Sequence, residues 1–90
     1  MFQVIFNEIS AAEISQLPTL AQLEVLNEFQ VSPGDLESLT EGEDSRFGTI
    51  EREGKTLYRY RAHDLRIYFE VTDNHEAVVV HRVLNRNSFA

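Results

Sequence analysis

Apolar and polar residues alternate along most of the second half of the chain, and this period of two restricts the fold more than any other feature. Such a period is typical of strands that bury one face. Four runs have it and are predicted as strands: residues 47–52, 55–62, 65–72 and 77–83. The connections between them are short and include the turn-forming pairs Glu53-Gly54 and His63-Asp64. Because short connections join antiparallel neighbours, we predict a meander of four strands.

The first half of the chain predicts one more strand and a helix. Residues 2–6 alternate and are predicted as a strand. Ser10 and Glu13 have the spacing of a capping box, so a helix is expected to begin at Ser10. It is expected to end near Leu17, because Pro18 disfavours a helical conformation in the residue before it.

A second helix is predicted over about residues 18–30. Two apolar rows run along it, one of Leu20, Leu23 and Leu26 and one of Ala21, Val25 and Phe29. Together they predict one broad apolar face that lies flat on a sheet. Ser32 followed by Pro33 is typical of a helix start, so one further short turn through Leu36 and Leu39 is expected before a loop at residues 40–45.

The predicted order of elements places the chain in the α+β class. The order is β-α-α-β-β-β-β, with one antiparallel sheet and the N-terminal helical hairpin packed on one of its faces. A chain of 90 residues is long enough for one hydrophobic core and too short for two. Residues 1–90 are therefore predicted to form a single domain.

Charge is unevenly divided between the two halves of the chain, which has a formal net charge of −7. Residues 1–45 contain nine acidic side chains and no Lys or Arg, whereas residues 46–90 contain all eight basic side chains and six acidic ones. The acidic balance argues against a nonspecific nucleic-acid coat protein. It leaves room for a local basic site in the second half.

Several classes of site are excluded by the residues present. The chain has no Cys, so a disulfide framework, a zinc–thiolate site and a Cys nucleophile are excluded. The three His have no metal-ligand spacing and there is no Gly-rich phosphate loop, so we predict neither a metal nor another cofactor. No apolar run reaches the ~18 residues of a membrane span, and residues 1–4 do not begin a secretory signal. We therefore expect a cytoplasmic protein that does not associate with a membrane.

A two-residue turn at His63-Asp64 sets the predicted register of the central hairpin. It places Arg61 opposite Arg66 and Arg59 opposite Tyr68. The period of two then assigns one set of side chains to the core under the helices: Tyr58, Tyr60, Leu65, Ile67, Phe69 and Val71. The other set lies on the opposite, open face: Arg59, Arg61, Arg66, Tyr68 and Glu70.

The opposition of Arg61 and Arg66 needs a compensating interaction, because like charges directly opposite destabilise a sheet by up to ~1 kcal/mol. Glu70 is the expected carboxylate partner for one of the arginines; the other solution is an anionic ligand, and the planar arginine head suits phosphate. The simpler alternative, an Arg/Glu ladder that only keeps the open face soluble, stays open. Arg82 and Arg86, at and beyond the end of the last strand, are expected near this cluster.

The hairpin and the last strand resemble the RelE/ParE toxin superfamily. The resemblance rests on residues 54–71, GKTLYRYRAHDLRIYFEV, and on residues 78–86, VVVHRVLNR, which are similar to the family's hairpin and its following strand and basic loop. It implies the toxin half of a toxin–antitoxin pair on a RelE-like fold. RelE-type members are ribosome-dependent mRNA endoribonucleases that act without metal, whereas ParE-type members inhibit DNA gyrase.

The resemblance also implies roles for particular residues. Arg59 and Arg61 match the basic pair on the first strand of the family's hairpin, Arg66 matches the arginine on the second strand, and Arg86 matches the basic residue of the final loop. These four are the predicted catalytic residues, which bind and polarise the scissile phosphate. Tyr68 and Arg82 are predicted substrate contacts.

Two departures from the family pattern keep three functional hypotheses open. Phe89 stands where many RelE-type enzymes have a Tyr, and the acidic helices would be repelled by ribosomal RNA. The first hypothesis is a RelE-like toxin, catalytic or attenuated, which forms a hetero-oligomer with an antitoxin whose basic segment binds the acidic helical hairpin. The second is a ParE-like gyrase inhibitor or a non-catalytic family member. The third is an interaction module whose acidic helices bind a basic partner.

Overall fold

The order of strands and helices agrees with the prediction. A computed structural model describes residues 1–37 and 46–85. The strands of this part of the chain are β1 (Gln3–Phe6), β2 (Phe47–Arg52), β3 (Lys55–Ala62), β4 (Leu65–Val71) and β5 (Ala77–Asn85). Its helices are α1 (Glu8–Ser15), α2 (Thr19–Glu28) and α3 (Pro33–Glu37). None of these helices is long and apolar enough to cross a membrane.

The strands form one open sheet in the order β1-β5-β4-β3-β2. The α+β class with helices on one face of the sheet is confirmed. The predicted antiparallel meander holds for β2 to β5, but β1 pairs with β5 in parallel, from Gln3↔Ala77 to Phe6↔Val80. A tight turn forces its two strands to run antiparallel, whereas β1 and β5 are separated by three helices and three strands. The direction of β1 therefore follows from the path of the whole chain.

The predicted register of the central hairpin is confirmed at every pair. Arg61 lies opposite Arg66, and Arg59 lies opposite Tyr68. His63 adopts a positive φ of 54° in the two-residue turn, and Glu53 and Gly54 of the other turn have φ values of 54° and 80°. Positive φ at the central residues is what a tight hairpin turn of the primed type requires.

Helix α1 covers the part of the β5 edge that β1 leaves unpaired. β1 ends at Phe6, and beyond it the N–H of Asn7 donates to the carbonyl of Val80 at 3.2 Å. The hydroxyl of Ser10 donates to the same carbonyl at 2.8 Å, and Oε1 of Glu13 accepts from the N–H of Val83 at 2.8 Å. Side chains of α1 thus bond to backbone groups that a further strand would otherwise pair.

The predicted capping box at Ser10 is wrong for the same reason. The helix begins at Glu8, and its N-cap is Asn7, whose side-chain oxygen accepts from the N–H of Ser10 at 2.8 Å. Ser10 is fully buried and Glu13 is directed to β5, so neither side chain is available to cap the helix. The tertiary contacts with β5 override the local motif.

The predicted broad apolar face of α2 is wrong in one of its two rows. Val25 and Phe29 are buried at 1% and 4% exposure, but Leu20 and Leu26 are 81% and 58% exposed, and Leu23 is 48% exposed. A helix of ten residues contacts the sheet along one stripe. The row of Ala21, Val25 and Phe29 supplies it, and the leucine row faces outward.

The aromatic centre of the core lies between α2 and the sheet. The ring of Phe29 packs edge-on against Tyr60 at 5.0 Å and against Phe69 at 5.6 Å. Burial raises the pKa of the Tyr60 phenol above its ordinary value. Of the side chains predicted for the core, Tyr60, Leu65, Ile67 and Phe69 are buried and Tyr58 and Val71 are partly buried.

Helix α3 begins where the sequence predicts. The N–H of Ser32 donates to Oδ2 of Asp35 at 2.9 Å, and the N–H of Asp35 donates to the hydroxyl of Ser32 at 3.3 Å. This reciprocal arrangement satisfies donors that a helix start leaves unpaired. The predicted continuation to Leu39 and the loop at 40–45 lie outside the described residues.

Candidate active site

The candidate active site lies on the open face of the sheet, the face turned away from the helices. Alternation and register place on it, from the β2 side to the β5 side, Gly48, Ile50, Arg52, Lys55, Leu57, Arg59, Arg61, Arg66, Tyr68, Glu70, Val79, Arg82 and Leu84. Five of these side chains are arginines. The face is therefore the basic side of a chain whose helices are acidic.

Arg59 lies flat on the sheet over Gly48. A Cβ at position 48 would stand 2.7 Å from Nη2 of Arg59 and 3.2 Å from its Cζ, so a side chain there would displace the guanidinium. Nε of Arg59 is buried and has no hydrogen-bond partner among residues 1–37 and 46–85. A buried donor without an acceptor is costly, and a ligand is one of the ordinary reasons for it.

Arg66 is held by the hairpin turn. Its Nη1 donates to the carbonyl of His63 at 3.1 Å and to the carbonyl of Leu65 at 2.9 Å. These carbonyl dipoles partly compensate the like charge of Arg61 across the strand pair. Arg61 itself is exposed, with its side chain on the same face.

Within the described residues Glu70 pairs with His81 and not with an arginine, so the alternative of an Arg/Glu ladder finds no support at this position. Oε2 of Glu70 lies 2.9 Å from Nε2 of His81, and both side chains are about one-third exposed, at 31% and 37%. His81 in turn lies 3.4 Å from Nδ2 of Asn7, the residue that caps α1. The carboxylate is therefore engaged at the end of the open face farther from the His63 turn.

Arg82 is engaged with α1. Its Nε and Nη2 donate to Oε2 of Glu13 at 2.9 Å and 2.8 Å. The hydrogen bond and the charge of Glu13 raise the pKa of Arg82 above its ordinary value, so this guanidinium stays charged. Register also places Arg82 opposite Tyr68, which has Arg59 on its other side.

The structure thus brings together five of the six predicted site residues on one face: Arg59, Arg61, Arg66, Tyr68 and Arg82. Arg86 lies outside the described residues, as does Phe89. In the described part of the chain, no three His, Asp or Glu side chains cluster in a way that could hold a metal ion.

Sequence reasoning missed two features of the face. The place of Gly48 beneath Arg59 follows from the register of β2 with β3, so the short Glu53-Gly54 turn carried the signal for it. The Glu70–His81 pair has no comparable signal, because a β-bulge shifts the register of β4 and β5 between Tyr68 and Phe69. Alternation counted along β5 cannot show which side chain the bulge turns toward Glu70.

No protein-family model matches the sequence, and no curated protein matches it significantly. Solved structures do match. A chain of the RelBE2 toxin–antitoxin complex of Mycobacterium tuberculosis superposes with a TM-score of 0.68 at 20% identity, over 94% of this chain and 98% of that one. The chain has the fold of the RelE toxins. The resemblance predicted from the hairpin is thereby confirmed for the fold.

Two archaeal structures with the RelE fold also match over nearly their whole length. The RelE–RelB complex of Pyrococcus horikoshii gives a TM-score of 0.61 at 18% identity, over 94% of each chain. The RelB–RelE antitoxin–toxin complex of Methanococcus jannaschii gives 0.55 at 17% identity, over 94% of this chain and 93% of that one. At identities this low, the superpositions establish a shared RelE-like fold, and the activity has to be argued from the site.

Proposed function

We propose that this protein is the toxin of a toxin–antitoxin pair and that its open sheet face binds and cleaves messenger RNA on the ribosome. The observation that carries the proposal is Arg59, whose buried Nε has no acceptor among residues 1–37 and 46–85, on a face that also presents Arg61 and Arg66. An RNA phosphate would supply the missing acceptor. The solved structures with this fold, which come from RelB–RelE complexes, support the toxin assignment.

The proposed chemistry is electrostatic. A scissile phosphate gains negative charge as a neighbouring ribose oxygen attacks it, and fixed cations stabilise that charge without reorganising. Arg59 and Arg61 would contact the phosphate. Arg66 would add a third cation, oriented by the carbonyls to which its Nη1 donates, and Arg86 would add a fourth. Tyr68 would stack on a base, and Arg82 would contact the RNA backbone near it. No metal is needed for such a reaction.

The test is cleavage of a defined mRNA in a reconstituted translation system, read as new RNA ends. The wild-type chain is expected to cut ribosome-bound mRNA, and Arg61→Ala is expected to reduce the rate about 100-fold or more. Arg61→Lys keeps a cation and should retain part of the rate. Thr56→Ala changes an exposed side chain of β3 that is directed away from the open face, and it should change the rate less than about threefold.

Intact mRNA would contradict the nuclease proposal, and two further readouts would then select an alternative. A correctly folded wild-type protein that leaves ribosome-bound mRNA intact is not a nuclease of this kind. Inhibition of gyrase supercoiling without mRNA cleavage would select the ParE-like alternative. Growth arrest on expression, with neither activity, would indicate a non-catalytic family member.

We further propose that the antitoxin binds the outer face of α2. The leucine row of Leu20, Leu23 and Leu26 is exposed there, and a groove of about 330 Å³ runs between this row and His63. Glu24 and Glu28 line the same groove, and residues 1–45 contain no Lys or Arg. An exposed apolar stripe with acidic flanks complements an amphipathic segment that carries leucines and basic residues. The partner is therefore an antitoxin with a basic segment, and the complex is a cytoplasmic hetero-oligomer.

Co-expression with the product of the adjoining gene tests the docking surface. Leu23→Asp is expected to weaken the complex at least tenfold, because it places a charge within the apolar stripe. Ile9→Asp is the matched control, since Ile9 is similarly exposed, at 59%, but lies on α1. Equal loss of binding in the two variants, or no loss in Leu23→Asp, would contradict this surface.

A further inference from the structure

A chain of three side chains links the end of the open face to the start of α1. Oε2 of Glu70 lies 2.9 Å from Nε2 of His81, and Nδ1 of His81 lies 3.4 Å from Nδ2 of Asn7. These three side chains lie beside the arginine cluster and are not part of it. Glu70 is the next residue after Tyr68 on the open face of β4.

The cap of α1 sets the tautomer of His81. Oδ1 of Asn7 accepts from the N–H of Ser10 at 2.8 Å, so the amide turns its NH₂ group toward His81. An NH₂ group only donates, and Nδ1 of His81 must therefore accept. The ring proton is then on Nε2, which donates to the carboxylate of Glu70. The imidazole is held at both ends.

A β-bulge brings His81 to this position. Tyr68 pairs with Arg82 but the next residue, Phe69, pairs with Val80, so His81 is the extra residue of β5. Bulges of this kind redirect a side chain and are frequent beside active sites. Without the bulge, strict alternation could not place both Val80 in the core and Arg82 on the open face.

Glu70 and His81 line an open cavity of about 260 Å³, with Leu57 between them and the β2–β3 turn. Arg52, Lys55 and Glu53 lie at its rim and are exposed. Oε1 of Glu70 makes no hydrogen bond within the described ranges. Leu57 lines the same cavity and is followed on the same face of β3 by Arg59. A strand of RNA that extends from Arg59 toward the β2–β3 turn would therefore pass this cavity.

We propose that Glu70 is the general base of the RNA cleavage, with His81 and Asn7 as its positioning residues. The inference rests on the proposed nuclease function and assigns to it a residue outside the arginine cluster. His81 holds Oε2 by donating to it, which leaves Oε1 to accept a proton from the substrate. The base is needed because an arginine, charged at all ordinary pH, cannot accept one.

The proposed step transfers the phosphoryl group from the 5′-oxygen to the ribose 2′-oxygen. The ribose 2′-oxygen forms a bond to phosphorus while its proton passes to Oε1 of Glu70. The bond from phosphorus to the 5′-oxygen breaks, and that oxygen takes a proton from water. The hydroxide left behind takes the proton from Glu70. The products are a 2′,3′-cyclic phosphate and a 5′-hydroxyl.

The experiment measures cleavage of the same ribosome-bound mRNA over a range of pH. Glu70→Gln is expected to lower the rate about 100-fold or more and to remove the acid limb of the pH–rate profile. Glu70→Asp should restore that limb, and His81→Asn should lower the rate while shifting the limb. Glu51→Gln is the matched control, since Glu51 is an exposed carboxylate on β2 that does not line this cavity.

The outcomes separate this inference from the function on which it rests. If the wild type cleaves, Arg61→Ala is inactive and Glu70→Gln keeps the full rate and profile, only the general-base assignment is overturned. If the folded wild type does not cleave RNA, both are overturned. Nitrogen-15 spectra of the imidazole give a readout without activity: the tautomer with its proton on Nε2 is expected, and the tautomer with its proton on Nδ1 would overturn the positioning of Glu70.

Discussion

The guanidinium of Arg59 lies over Gly48, whose missing side chain leaves the space that Nη2 occupies. The two residues face each other across β2 and β3. Neither residue type suggests this contact when read by itself. The strand register places the glycine opposite the arginine, and the absence of a side chain on the glycine leaves room for the guanidinium.

Gly48→Ala is expected to displace the Arg59 guanidinium and to lower RNA cleavage about tenfold, a change of about 1.4 kcal/mol in the barrier. The new Cβ would lie 2.7 Å from Nη2, and a flexible arginine head can move aside, so the fold should be kept. Thermal unfolding and the cleavage rate together check this. Thr49→Ala, on the neighbouring and opposite-facing position, is the control, and equal effects of the two would contradict this role of Gly48.

The anchoring of α1 predicts a stability effect at Glu13. Glu13→Ala should lower the free energy of unfolding by about 1–3 kcal/mol, because it leaves the N–H of Val83 without its acceptor and frees Arg82. Glu13→Gln keeps an acceptor oxygen and should cost less than half as much. Urea denaturation of the two variants measures the difference. A larger loss for Glu13→Gln would mean that the charge, and not the acceptor, holds the helix.

The two rows of α2 predict unequal costs of truncation. Val25→Ala is expected to destabilise by about 2 kcal/mol, since it removes methyl groups from a residue that is 1% exposed. Leu20→Ala, at 81% exposure, should change the free energy of unfolding by less than about 0.5 kcal/mol. Denaturation midpoints of the isolated protein test both. A larger loss for Leu20→Ala than for Val25→Ala would mean that the leucine row, and not the valine row, packs on the sheet.

Burial of Tyr60 predicts a loss of stability at alkaline pH. Its pKa is raised in the folded chain, mainly by burial, so above pH ~10 the unfolded chain ionises while the folded chain keeps its proton. Proton release then favours unfolding, and the stability contribution, complete below pH ~10, is lost as the pH rises toward the folded pKa. Denaturant melts between about pH 8 and pH 11, a range that brackets the ordinary pKa of tyrosine, should show this decline. Tyr60→Phe should flatten it, whereas an unchanged decline in that variant would assign it to other groups.

The central hairpin could be predicted because its determinants are local. A two-residue turn and a period of two specify which residues face each other, and a slip by one residue would move every core side chain to the open face. The opposition of Arg61 and Arg66 and the burial of Phe69 both follow from that register. The start of α3 at Ser32 is local in the same sense.

The failures of prediction share a different cause. Ser10 and Glu13 have the spacing of a capping box, but unpaired backbone groups of β5, about seventy positions along the chain, engage both side chains. The leucine row of α2 is as apolar as the buried row, and only docking on the sheet distinguishes them. In each case two local solutions have similar energy, and a contact between distant parts of the chain selects one.

The sequence by itself determined the class of the fold, the hairpin register and the gathering of arginines on one sheet face, because alternation and short turns act between near neighbours. Only the tertiary structure established the parallel β1, the outward leucine row and the Glu70–His81 pair. These depend on where α1 and α2 dock and on a bulge between β4 and β5. Such features arise from packing between distant segments, whose free energy no local pattern records.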